Sequence, residues 1–177
     1  MTFERLYEAH FTFVWRALRR LGVPERDLAD ALQETFLAVH RNLAEFEGRA
    51  QITTWLFRIA MGVAKDRRQR AHARHEVLGP SDFEQAAPSN SQEEEIERHQ
   101  DLDLVQRALS RLNLEQRAVF ILYELEELAG AEIADTLQIP LGTVHSRLRL
   151  ARAAFERAVH AELARRNRVL RSTPEAS

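Results

Sequence analysis

Cysteine is absent from the 177-residue chain, and lysine occurs once, at Lys65. The first absence excludes disulfides and thiolate zinc sites. Seven histidines are present but scattered, with no HExxH and no ligand-like spacing, so no metal or cofactor is expected. No apolar run approaches the roughly 18–20 residues needed to cross a bilayer, and no membrane insertion is expected. The opening stretch, MTFERLYEAHF, carries acids and lacks a small-residue cleavage site, so it does not read as a secretory signal. A cytoplasmic protein is the expectation. Period-2 patterning between turn signals is missing too, which leaves strands without support. Gly-rich phosphate loops and nucleophile motifs are likewise missing, so no catalytic residue is assigned and an enzyme is the weakest reading.

What is present is helical pattern and segregated charge. The net charge of −2 conceals a strong asymmetry along the chain. Arg49–His75 holds seven Arg/Lys against the single acid Asp66. Glu76–Asp103 reverses this, with nine acids against one arginine. Ala131–Ser177 returns to eight arginines and five acids. Two basic patches flank an acidic segment, which says more about partners than the overall charge does.

Helical periodicity predicts Phe3–Leu21, ended by Gly22-Val23-Pro24, and then Arg26 to about Phe46, ended by Gly48. A third helix is expected from near Thr53 to about Arg70, with Thr53 or Thr54 as N-cap. The run GPSDFEQAAPSNSQEEE suits a flexible acidic linker. Helical pattern resumes over Ile96–Leu112, Leu114–Leu125, Ala131–Leu137 and Gly142 to about Leu163, and the tail RSTPEAS reads as disordered. The expected fold is all-α, with two small helical domains. Their boundaries are residues 1–75 and 95–163, joined by a linker over 76–94 and followed by a tail over 164–177.

The most informative stretch is EIADTLQIPLGTVHSRLRLAR, Glu132–Arg152. At about 100° per residue, Val144, Leu148, Ala151 and Phe155 share one narrow face, with Ser146 and Arg149 opposite. Ile133, Ala134 and Leu137 give the preceding short helix an apolar face, and Pro140 with Gly142 breaks the two apart. That is the build of a helix-turn-helix, whose second helix presents its N-terminal residues to a DNA major groove. Thr143, His145 and Ser146 are short polar groups in the first turn, and Arg147, Arg149 and Arg152 follow where they can meet phosphates or guanine edges. A plain helical corner with a solvated arginine face is the bland alternative.

The same stretch resembles region 4, the promoter-reading domain, of extracytoplasmic-function (ECF) sigma factors, with the G-T-V-x-S-R-L core at Gly142–Leu148. His145 stands where that family usually has Lys, and Leu150 where Arg is common. Two further motifs carry the resemblance to the other end of the chain. DALQETFLAVHRNL, Asp30–Leu43, is similar to region 2.2, and TTWLFRIAMGVAKDRRQR, Thr53–Arg70, is similar to regions 2.3 and 2.4. Met61-Gly62 replaces a pair that is often Arg-Asn, and Gly62 offers no side chain to a base.

The resemblance implies a non-catalytic subunit that binds core RNA polymerase and reads two promoter elements. Thr143, His145, Ser146, Arg147, Arg149 and Arg152 would read the −35 element. Arg58, Lys65, Arg67, Arg68 and Arg70 would serve the −10 element and its melted strand. Asp30, Gln33 and Glu34 would dock on polymerase. The implied partners are the β′ coiled coil and β flap of polymerase, promoter DNA, and an anti-sigma factor. In residue terms, Leu56, Ile59, Ala60 and Val63 share one face of the third helix while Arg58 and Lys65 lie opposite. Cations along a backbone suit an opened duplex, and Trp55 and Phe57 read as core or as base platforms. A polymerase-independent repressor remains the alternative, although no heptad or dimerisation helix supports it.

Overall fold

The computed structural model describes residues 2–46, 48, 51–78 and 93–172, with side chains over 2–46, 48, 51–73, 101–166 and 168. All regular structure among the described residues is helical. Seven α-helices follow in order: α1 Phe3–Arg20, α2 Glu25–Asn42, α3 Ile52–Leu78, α4 Glu93–Ser110, α5 Leu114–Phe120, α6 Gly130–Leu137 and α7 Leu141–Ser172. Contacts divide the chain into two units, Met1–Ala87 with Ala131–Ile139, and Pro88–Gly130 with Pro140–Ser177.

In the first unit α1, α2 and α3 pack on one another pairwise. Leu6, Val14, Ala17 and Leu18 of α1 are buried at helical spacing, as are Leu28, Ala31, Leu32, Phe36 and Val39 of α2. Leu56, Phe57, Ala60 and Ala64 complete this core from α3. The turn after α1 is a Schellman motif. Gly22 takes φ 93, its N–H donates to the Arg19 carbonyl at 3.0 Å, and the Val23 N–H donates to the Leu18 carbonyl at 3.1 Å. Val23 and Leu18 are both buried, and Pro24 then opens the next helix.

Several helix ends differ from the sequence expectation; α4 spans Glu93–Ser110 rather than Ile96–Leu112, and α7 runs from Leu141 to Ser172 rather than from Gly142 to about Leu163. α2 stops at Asn42 and gives way to a 3₁₀ turn over Leu43–Glu45, short of Phe46. α3 starts at Ile52, and the Thr54 hydroxyl donates to the Gln51 carbonyl at 2.7 Å instead of accepting from an N–H as a cap would. α3 also runs to Leu78 rather than Arg70, because its last turns lack an apolar stripe but contain no Gly or Pro after Gly62. The linker expectation falls largely outside the described residues, as do residues 173–177 of the tail, whereas residues 164–172, expected as tail, continue α7 because they hold no Gly or Pro.

In the second unit α4 and α5 pack on α7. The Asn113 side chain caps α5, accepting from the Gln116 N–H at 2.8 Å. The expected helix Leu114–Leu125 is broken in character: after Phe120 it widens into a π-helical segment over Ile121–Leu125. Ile121 and Leu122 remain buried, and the segment closes with the Leu128 N–H donating to the Leu122 carbonyl at 3.0 Å. At the far end, Glu162 of α7 meets Arg107 of α4 at 3.3 Å and Arg165 at 3.1 Å.

Candidate nucleic-acid interface

α6 ends at Leu137, Gln138 turns the chain with φ 54, and α7 starts after Pro140. The Pro140 carbonyl accepts from the Thr143 and Val144 N–H groups at 2.9 and 3.2 Å, closing the first turn of α7. The apolar face of α7 is placed as its periodicity requires. Val144, Leu148 and Ala151 are buried, and the Phe155 ring stacks on Phe120 with centroids 4.6 Å apart. The opposite side is therefore presented to solvent.

His145, Ser146, Arg149 and Arg152 are exposed, while Thr143 and Arg147 are half-buried. The Ser146 hydroxyl donates to the Thr143 carbonyl at 3.0 Å, which leaves its oxygen as an acceptor. His145 lies close to Gly130: a Cβ there would stand 3.3 Å from the imidazole Nε2. Arg147 and Arg149 make no ion pair among the described residues.

Arg152 differs. Its Nε donates to Glu124 Oε1 at 2.6 Å, and its guanidinium carbon lies 4.9 Å from the centre of the Tyr123 ring. The hydrogen bond to Glu124 raises its pKa further above the usual arginine value. Tyr123 and Glu124 were not identified from the sequence. They sit in a run of acidic residues with no local spacing to Arg152, so no sequence signal marks them. With His145, Leu148, Arg149 and Glu156, Tyr123 and Arg152 line an open depression beside the exposed face of α7.

The second cation group lies on α3. Arg58, Lys65 and Arg68 are exposed at helical spacing, with no ion pair among the described residues. Gly62 lies between them, exposed, with nothing within 4 Å of the position its Cβ would take. Arg67 is instead turned toward α2. It grips Glu34 with two hydrogen bonds, Nη2 to Oε1 at 2.8 Å and Nε to Oε2 at 3.3 Å, and Arg70 approaches the same carboxylate at 3.6 Å. Glu34 and Arg67, expected to face polymerase and DNA respectively, thus meet each other. Asp30 and Gln33 are exposed on α2, followed a turn later by Leu37, itself 53% exposed.

Trp55 is half-buried with its ring 5.0 Å from Phe46, and Phe57 is fully buried, which makes Phe57 core. Among the described residues no group of three or more His, Asp or Glu is placed to hold a metal ion, and no helix is long and apolar enough to cross a membrane.

Two exposed arginine-bearing helix faces, one on α3 and one on α7, are what a DNA-binding transcription protein would use against phosphates. Family comparison narrows this. Residues 6–74 match the Sigma-70 region 2 model and residues 102–155 match the Sigma-70 region 4 model. The ECF RNA polymerase sigma factor SigM of Mycobacterium tuberculosis is 34% identical over 155 residues, covering 88% of this chain and 76% of that protein. The RNA polymerase sigma factor NccH of Alcaligenes xylosoxydans xylosoxydans is 32% identical over 154 residues, covering 85% and 83%. The solved sigma factor RpoE of Bartonella quintana, in complex with the anti-sigma factor NepR, shares the fold with TM-score 0.69. It is 20% identical, with 87% of this chain and 96% of that one covered. The chain belongs to the sigma-70 family, among the ECF sigma factors.

Proposed function

We propose that this sigma factor binds core RNA polymerase, reads a −35 element with α7 and a −10 element with α3, and has no catalysis of its own. The observation that carries the reading is the ordered pair of matches, region 2 over residues 6–74 and region 4 over 102–155, in one chain. Arg149, exposed two turns into α7 and without an ion pair among the described residues, is the leading base or phosphate contact, with Thr143, His145, Ser146 and Arg147 beside it. Arg58, Lys65 and Arg68 would follow the phosphates of the opened −10 region, with the bare backbone at Gly62 between them. Arg67 and Arg70 would support that surface through Glu34. Asp30 and Gln33 would face polymerase. Action in the cytoplasm and control by an anti-sigma factor fit the family, and the RpoE relative was solved with such a partner.

The test uses Arg149→Ala in the reconstituted holoenzyme. A base-reading Arg149 predicts a loss of about 1–3 kcal/mol at the matched promoter and relaxed choice at one −35 position. A phosphate contact predicts a similar loss on every sequence and a salt slope smaller by about one unit. Unchanged initiation at all promoters removes Arg149 from the site.

A further inference from the structure

Arg152 lies on the same exposed side of α7 as His145 and Arg149, three residues beyond Arg149, so its position alone nominates it as a third DNA contact. Its side chain is nevertheless engaged. One edge of the guanidinium is hydrogen-bonded to Glu124 at 2.6 Å, and its carbon sits 4.9 Å from the centre of the Tyr123 ring. Carboxylate and aromatic ring together fix both the place and the tilt of the planar group.

The residues that hold it come from an unusual piece of backbone. Tyr123 and Glu124 are in the π-helical segment Ile121–Leu125, whose wider turn is rare and recurs at functional positions. Ile121 and Leu122 anchor this segment in the core, and Glu127 leaves it at φ 55. Just before it, Phe120 stacks on Phe155 of α7 at 4.6 Å. The end of α5 and the widened turn after it therefore grip α7 at two points, one apolar at Phe155 and one polar at Arg152. The polar grip lies one turn from Arg149.

We infer that Arg152 is a positioning residue: held by Glu124 and Tyr123, it sets the seat of α7 so that Arg149 and the first turn meet the −35 bases in register. The inference rests on the −35 reading proposed above. In the competing arrangement Glu124 stands in for a DNA phosphate and releases Arg152 when DNA arrives. The two arrangements predict opposite effects for Glu124→Gln. Positioning predicts that the variant discriminates less between matched and altered −35 sequences. Displacement predicts tighter use of all promoters, because a competitor for Arg152 has been weakened.

The experiment compares wild type, Glu124→Gln, Tyr123→Leu and Arg152→Ala in two measurements. The first is holoenzyme transcription from a matched promoter and from one altered at −35, across a salt series. The second is amide hydrogen exchange over residues 141–152 of the free chain. Positioning predicts a several-fold fall in the matched-to-altered ratio for all three variants, with the wild-type salt slope kept, and faster exchange in the first turns of α7. A salt slope smaller by about one unit for Arg152→Ala, or stronger transcription with Glu124→Gln, would overturn it. Unchanged exchange in all three variants would also overturn it, whatever the transcription result. Absence of any wild-type transcript defeats the sigma reading separately, and exchange then decides whether the clamp seats α7.

Discussion

Gly62→Ala should make the protein more stable. Gly62 sits well inside α3, which runs from Ile52 to Leu78, so end fraying does not dilute the effect. The residue is exposed, and a Cβ added there meets nothing within 4 Å. Only Gly22 and Gly48 among the described glycines take positive φ, so alanine fits the backbone at position 62 without strain. No side chain is buried and no contact is made by the new methyl. The whole effect is then the difference in helix propensity, about 0.8–1.0 kcal/mol in favour of alanine, arising chiefly in the unfolded chain. For a domain the size of the region 2 match, residues 6–74, this corresponds to a rise in Tm of roughly 4–8 °C. Circular dichroism at the helical minimum, followed against temperature and against urea, reads the change. The urea midpoint should rise with an unchanged m-value. An unchanged or lower midpoint would refute the reasoning and show that α3 does not keep its helix through position 62.

Other substitutions test the same structure from different directions. Gly22→Ala places a Cβ on a residue at φ 93 in the turn after α1 and should destabilise by about 1–2 kcal/mol, read as a lower urea midpoint. Phe57→Ala removes a fully buried ring from the first unit and should lose about 3–5 kcal/mol, read as a large fall in the urea midpoint. Arg67→Ala breaks a bidentate pair that is still part-exposed, 21% at the arginine and 36% at Glu34. Its loss should be only about 0.2–1 kcal/mol and should shrink at high salt, which melting at low and high ionic strength would reveal.

The parts of the fold governed by local pattern were legible from residues alone. The Gly22-Val23-Pro24 stop appears as a Schellman turn, because only the left-handed glycine lets Leu18 and Val23 close over the helix end. Val144, Leu148 and Ala151 turn inward and Arg149 outward, because a single helical period fixes both faces at once. What local pattern could not supply were the partners brought in from elsewhere. Arg67 and Glu34 are 33 residues apart, and their pairing depends on how α2 and α3 pack rather than on either helix's own stripe. Arg152 and Glu124 are 28 residues apart, and their meeting depends on a π turn whose extra residue is accommodated by the burial of Ile121 and Leu122. The length of α3 escaped for another reason: beyond Arg70 intrinsic helix preference carries the chain on after the apolar stripe has ended.

Run-off transcription on a genomic fragment library, with core RNA polymerase in the presence and absence of this protein, is the most direct test. The account predicts start sites that require both components and share two upstream motifs, with Arg149→Ala impairing the use of the upstream one. Transcripts that ignore the protein, together with tight binding of the free chain to palindromic DNA, would contradict it and favour a repressor.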